Sequence, residues 1–523
     1  MWKKISGNAV LLALLSGLAA VLAFPPIEIT GVLVFCPLFL FLAVDLCRSW
    51  KQAFFVGFLT SLVIMTGGFY WVVYTIHVFG YLPWSVSALL YLVFCGLGSL
   101  NFPLFAASLF GIVRKRPSLR KNAWWFALGA PALFSIFEFA IPKLFPWYVG
   151  HAYFKSPWLT QIIEFTGSEF LTFLIFCWGG VGAAALLKHS AQREVRRAIW
   201  VPLVLTLISV GYSAWRNLTP LPSAGIKRVA LVQANIGSLE KVQARQGLYN
   251  KLQYTIEKYT DLTDRVMKQG KKPDLILWPE TAMPFGLAQD MGYAVFVRRA
   301  VARWNTPLIS GGYAPSDTHP FGDFNAAFLL DPAKEGGIVT SIYRKNILLA
   351  FGEYFPGGEQ FPKLYEWFPQ VSNFRIGRDQ PTFTLQDGTR VGATICYEDI
   401  VPAFYRKITR QGVQMVINLT NDSWFGPTSE PYQHGALASF RAIEARTPFV
   451  RVTNTGISFA VDRLGRFSQM SPVYDEAAFT VDVDIAPEPV LTVYTRFGDW
   501  LIGLLMAVVL GFVLRAKHVP LRS

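Results

Sequence analysis

The residues best suited to chemistry in this 523-residue chain are a thiol, an ammonium and a carboxylate, each set just after an apolar run. Cys396 ends the run in VGATICYED (391–399) and is followed at once by Tyr397, Glu398 and Asp399. A β-branched run closing on a thiol reads as a buried strand that delivers sulfur to a charged pocket. Glu280 follows DLILW (274–278) across Pro279, which stops a strand. Lys345 follows GIVTSIYR (337–344), and Glu353 lies eight residues further on in an aromatic, proline-rich loop. Each signal is weak alone, since free cysteines are usually buried filler and loop carboxylates and lysines usually solvated surface. Together, at strand ends of one domain, they meet the needs of acyl transfer through a thioester.

The types follow from the reaction. A thiol attacks a carbonyl as thiolate, so a base such as Glu280 must take its proton, and a Lys345 cation would favour the anion. The same ammonium, fixed in a dry pocket, would stabilise the oxyanion of the tetrahedral intermediate. Glu280, now protonated, can donate to the leaving oxygen and act again as base towards a second nucleophile. Glu353 and Glu398 are expected to orient Lys345 and hold the pocket, with a plain surface role as the alternative. Trp278 and Trp424 are candidates to line the pocket. Phe355, Phe361, Leu364, Tyr365, Trp367 and Phe368 crowd one loop, which reads either as packing or as a lid that admits acyl chains. Asn418, Asn421 and Asn454 read as turn and backbone-bonding residues, and His434 as a structural residue of a helix.

Strands and helices must position these groups. Strands are expected at 228–236, 274–278, 307–311, 325–330, 337–343, 383–385, 391–396, 414–419 and 449–453, with helices over about 248–266, 401–412 and 432–446. Such alternation over about 270 residues predicts one layered α/β domain. Of the five cysteines, at 36, 47, 95, 177 and 396, only Cys396 lies in this region. An intradomain disulfide is thereby excluded, and no Cys/His cluster suggests zinc, so no metal or cofactor is expected.

The remainder is too apolar for a soluble enzyme: 52% of the chain is hydrophobic and the mean hydropathy is +0.35. Seven apolar stretches, at about 8–24, 31–46, 53–75, 86–112, 123–141, 160–187 and 199–215, precede the α/β region, and an eighth covers 501–514. Sixteen Lys/Arg, among them Lys3, Lys4, Arg48, Lys51, the 114–121 cluster, the 188–197 loop and Arg515–Arg522, fall on one side if eight helices alternate. By the positive-inside rule that side is cytoplasmic and the α/β domain lies outside the cytoplasm, which in a bacterium means the periplasm or outer face. Much of the +14 net charge is then topogenic, and nucleic acid is excluded as a partner for want of a basic, aromatic-interleaved patch. Glu138 is the most central ionisable residue in an apolar stretch; Glu164 and Glu169 read as lying at helix ends. The expected division is 1–220, a seven-helix membrane domain; 221–496, the α/β domain; and 497–523, an eighth helix and tail.

The motifs WPE (278–280), YRKN and FGEY (343–346 and 351–354) and CYED (396–399) resemble the Glu-Lys-Cys arrangement of the nitrilase superfamily. With the apolar stretches, NLTNDSWFG (418–426), QHGALASFRAIEARTPFVRVTNTG (433–456) and YTRFGDW (494–500), the chain resembles the bacterial apolipoprotein N-acyltransferases over essentially its whole length. That resemblance implies a nitrilase-like αββα sandwich on a base of eight transmembrane helices in the inner membrane. It implies a ping-pong reaction in which a phospholipid acylates the cysteine and the thioester acylates the α-amino group of a diacylglyceryl-cysteine apolipoprotein. By motif it makes Glu280 the base, Lys345 the oxyanion partner and Cys396 the nucleophile, with Glu353, Tyr397 and Glu398 in support. Ala350 departs from a proline common there. A monomer is expected. A membrane-tethered amidase that hydrolyses its thioester, and a transporter with a non-catalytic sensor domain, remain as alternatives.

Overall fold

The computed structural model describes residues 6–237, 249–288, 292–316, 322–332, 338–368 and 371–516. Lys3, Lys4, Gly337, Arg522 and the first turn expected at 248 lie outside them. The chain forms two compact units: residues 1–73, 83–219 and 497–523, and residues 74–82 with 220–496.

The first unit is helical. Four of its segments, Trp50–Gly68, Trp84–Lys115, Glu169–Leu187 and Gln192–Leu218, are long and apolar enough to cross a membrane, and Gly7–Ala23, Thr30–Asp45, Trp125–Ala140 and Trp500–Arg515 are shorter apolar helices. The stretch expected at 160–187 is interrupted near its start. Gly167 takes a φ of 78°, and the long helix begins beyond it at Glu169. Glu169 thus stands in a first turn, and Glu164 in a short turn of its own where Tyr212 donates to it. Glu138 is buried inside its helix and accepts the Val149 N–H at 2.8 Å, the partner that a buried carboxylate requires. Packing is close: a Cβ on Gly180 would stand 1.9 Å from the Phe126 carbonyl oxygen, so only glycine lets those backbones approach. Phe134 and Phe176 stack beside it with centroids 3.7 Å apart.

The second unit has two sheets. The six-stranded sheet runs β11-β1-β2-β3-β4-β5, with β1 (Gly225–Gln233), β2 (Leu275–Trp278), β3 (Leu308–Ala314), β4 (Phe324–Asp331), β5 (Ile338–Arg344) and β11 (Ala477–Ile485). The five-stranded sheet runs β10-β9-β8-β7-β6, with β6 (Phe383–Thr384), β7 (Arg390–Ile395), β8 (Met415–Thr420), β9 (Phe449–Thr453) and β10 (Phe459–Val461). Its central strands β8 and β9 are buried along their whole length, and the polar residues they carry, among them Asn418 and Arg451, are buried with their apolar neighbours. Helices Tyr249–Met267 and Gly292–Trp304 set Ile256, Tyr259, Val297 and Val301 against Ala230, Val232 and Ile276 of the first sheet. Helix Pro402–Thr409 lies so close to β7 that a Cβ on Gly392 would meet Ile408 at 2.5 Å, and Gly435 of helix Glu430–Ala445 meets Phe459 of β10. Between the sheets, buried Gln233 accepts from Thr453, Ser458 and Ser471. The layers are therefore helix, sheet, sheet, helix.

Strand direction gathers the chemistry. β1, β2 and β3 are parallel, and β3–β4 and β4–β5 are antiparallel, so β5 runs with β2. Glu280, past the end of β2, and Lys345, past the end of β5, therefore emerge at one edge, the carboxyl end where open α/β sheets place their sites. Asn325, second residue of the reversed strand β4, starts from the same edge. Strands β10 and β11 and helix Gly292–Trp304 were not among the expected elements.

Candidate active site

Lys345 is almost fully buried, with Nζ 2.7 Å from Glu353 Oε2 and 3.5 Å from Glu280 Oε1. The Asn325 side-chain amide donates to both carboxylates, at 2.6 Å to Glu280 and 2.9 Å to Glu353. Asn325 also fixes the lysine backbone, since the Lys345 N–H donates to its carbonyl at 2.8 Å. Glu353 further accepts the Leu349 N–H, which folds the loop after β5 back onto the lysine. Burial alone would lower the ammonium, but the charges of Glu353 and then Glu280 outweigh it and hold Lys345 well above its usual range.

Cys396 is the first residue past β7, buried, with a φ of 51°. A non-glycine residue in the left-handed region stores roughly 1–3 kcal/mol of strain that surrounding bonds must hold. Two side chains do so. Asn418 donates to the Cys396 carbonyl at 3.0 Å and to Thr394 at 3.1 Å. Glu398 accepts four bonds: Tyr343 OH at 2.6 Å and the Ile395 N–H at 2.8 Å on one oxygen, and the N–H groups of Asn346 and Ile347 at 2.6 and 2.9 Å on the other. One carboxylate thus clamps the strand bearing Cys396 to the residues that follow Lys345. Burial raises the Glu398 carboxyl to about 7, against the Lys345 charge and its donors. Burial and then Glu280 push the Cys396 thiol well above its usual value, with Lys345 pulling the other way. Tyr397 is half-buried, and its burial raises the phenol to about 12.

Behind Cys396 lies a buried ionic group absent from the expectations. Arg451 donates to Asp399 at 2.8 Å and to Asp422 at 3.1 Å, and stands 2.8 Å from His434 Nδ1. His434 Nε2 meets Asp399 at 2.8 Å, so this residue, expected to be structural, joins the network. Asp422, Glu430 and His434 offer ligand atoms within 4.8 Å of one another. The Arg451 guanidinium already supplies the positive charge there, so the donor set does not fit a metal ion.

The three tryptophans part ways. Trp278 has no exposed surface, and its Nε1 donates to Thr263 on the helix-facing side of the first sheet, with Tyr259 and Trp304 around it. This corrects the expectation that it lines a pocket: as a β2 residue two before Glu280 it shares that strand's helix-facing side with Ile276. Trp424 is half-buried, its ring 4.8 Å from Phe79 in the 74–82 segment. Trp367 ends the short helix Lys363–Trp367 and is 69% exposed, with Phe361 at 68%.

A double sheet flanked by helices is the layout of a nitrilase-like domain, and the carbon-nitrogen hydrolase family model matches residues 228–487. The model of the apolipoprotein N-acyltransferase N-terminal domain matches 16–181. An apolipoprotein N-acyltransferase of Bdellovibrio bacteriovorus is 34% identical over 98% of this chain and 94% of its own, and one of Geobacter metallireducens 30% identical over 97% and 96%. A solved amidase from Nesterenkonia sp. aligns at 20% identity and a TM-score of 0.36 over 51% of this chain and 93% of its own. The chain belongs to the apolipoprotein N-acyltransferase family.

Proposed function

We propose that this protein transfers a fatty acyl chain from a membrane phospholipid, through a thioester on Cys396, to the α-amino group of a diacylglyceryl-cysteine lipoprotein. The observation that carries the reading is the Lys345 ammonium held between Glu280 and Glu353. Glu280 takes the thiol proton as sulfur attacks the ester carbonyl, and Lys345 stabilises the oxyanion. Collapse breaks the bond to the glycerol oxygen, which leaves as lysophospholipid with the proton from Glu280. The lipoprotein amine then attacks the thioester. Glu280 takes a proton from nitrogen and returns it to sulfur, so the enzyme ends as it began.

Glu353 and Asn325 hold the lysine, Glu398 and Tyr397 support the cysteine, and Trp424 faces the substrate. The exposed aromatics around Trp367 act as a lid for the acyl chain. The eight apolar helical segments cross the bacterial inner membrane and the sandwich faces the periplasm. The chain works as a monomer, with membrane lipid and lipoprotein as its partners and no nucleic acid.

Purified full-length protein given phospholipid and a diacylglyceryl peptide should yield lysophospholipid and N-acylated peptide in equal amounts. Free fatty acid with unmodified peptide would sink the transferase reading and favour hydrolysis. Trp367→Ala should slow acyl loading several-fold while leaving transfer from a loaded enzyme unchanged; equal loading rates would remove the lid.

A further inference from the structure

The helical unit contains a cavity of about 300 Å³ lined by none of the candidate active-site residues. Its walls are apolar, with Phe41, Leu109, Val113 and Phe126 among them, and its rim carries Asp45, Arg48, Arg114 and Arg120. The rim charges are not equivalent. Arg120 is committed to Asp45 by paired bonds of 2.9 and 3.0 Å, and His189 reaches the same carboxylate at 3.0 Å. Asp45 is therefore already neutralised. Arg48 and Arg114 are both exposed, and neither makes an ion pair among the described residues.

Two uncommitted guanidiniums over a pocket walled by phenylalanine and aliphatic side chains call for a ligand that is anionic at one end and apolar at the other. A guanidinium pairs bidentately with a phosphate, and the apolar walls would cover the first carbons of a chain. Arg48, Arg114 and Arg120 line this one cavity, and under the proposed topology they fall on the cytoplasmic side, where anionic lipid headgroups concentrate. We propose that this cavity binds the headgroup and proximal chain of an anionic phospholipid, held by Arg48 and Arg114, as a resident lipid and not as the acyl donor.

The test uses ether-linked phosphatidylglycerol, which has no ester to donate, titrated into the full-length protein in detergent and followed by native mass spectrometry. The expected result is a bound lipid whose affinity falls roughly thirtyfold in Arg48→Gln/Arg114→Gln. Val113→Trp fills the cavity with both charges kept, and should abolish the same binding at an unchanged melting temperature. Ether-linked phosphatidylcholine should bind weakly and equally to all three proteins. Binding of phosphatidylglycerol that is the same in both variants as in the parent would overturn the proposal. So would displacement of the lipid by equimolar inorganic phosphate, which would make the cavity a site for the free anion.

Discussion

Asn325 shows best what a residue does here that its own neighbourhood in the chain cannot reveal. Its amide bridges Glu280 and Glu353, which lie 45 and 28 positions away. Glu280, Lys345 and Cys396 were legible because each follows an apolar run, and Glu353 because it lies in the aromatic, proline-rich loop eight residues past Lys345, whereas an asparagine opening a strand has no local mark. Asn325→Ala removes two bonds to charged groups; a net loss of about 1.5–3 kcal/mol of transition-state stabilisation corresponds to acyl loading slower by roughly 10- to 150-fold in single-turnover measurements. The electrostatics give a second expectation. Lys345 opposes the rise of the Cys396 thiol, so Lys345→Met should push that thiol higher still. The pH profile of Cys396 alkylation should then move to higher pH, and an unmoved profile would separate the lysine from the sulfur.

At the scale of elements, nine strands were legible from alternation and β-branched content, and β10 is too short, at three residues, to show a pattern. β11 did carry one: Phe479, Val481, Val483 and Ile485 alternate with Thr480, Asp482 and Asp484, and its partner β1 lies far away in the chain. Helix Gly292–Trp304 spaces Ala294, Val297, Ala300, Val301 and Trp304 on one face, with Arg298, Arg299 and Arg303 blurring the apolar run. The ends of β5 and β7 are joined by Glu398, an acceptor for four donors. Glu398→Gln turns an acceptor into a donor facing N–H groups, and should cost about 1–3 kcal/mol in denaturant unfolding. Glu430, at the start of its helix, is raised to about 7 by burial and the charge of Asp422. A carboxyl raised on folding contributes stability that is present below its unfolded pKa of 4.5 and lost as pH rises through 7, about 3 kcal/mol in all. Glu430→Gln should flatten unfolding free energy between pH 5 and 7, and an unchanged slope would assign the titration elsewhere.

For the whole molecule, hydropathy located the apolar helices because a long apolar run is a property of composition alone, while the helix break at Gly167 and the grouping of 74–82 with the second unit depend on tertiary packing. The buried group of Asp399, Asp422, Glu430, His434 and Arg451 was invisible for the same reason, being drawn from four separate elements. The proposed topology predicts that an impermeant maleimide on intact spheroplasts labels Ser223→Cys but not Gln192→Cys; both positions are exposed in the structure. The proposed reaction turns on one covalent bond, the thioester on Cys396. Full-length protein incubated with phospholipid in the absence of acceptor, then digested and analysed by mass spectrometry, should show an acyl mass on the Cys396 peptide. Hydroxylamine or an added diacylglyceryl peptide should discharge it, and Cys396→Ala should lack it. Transfer to the peptide at the parent rate in Cys396→Ala, or turnover with no acyl-cysteine at any time, would contradict the thioester.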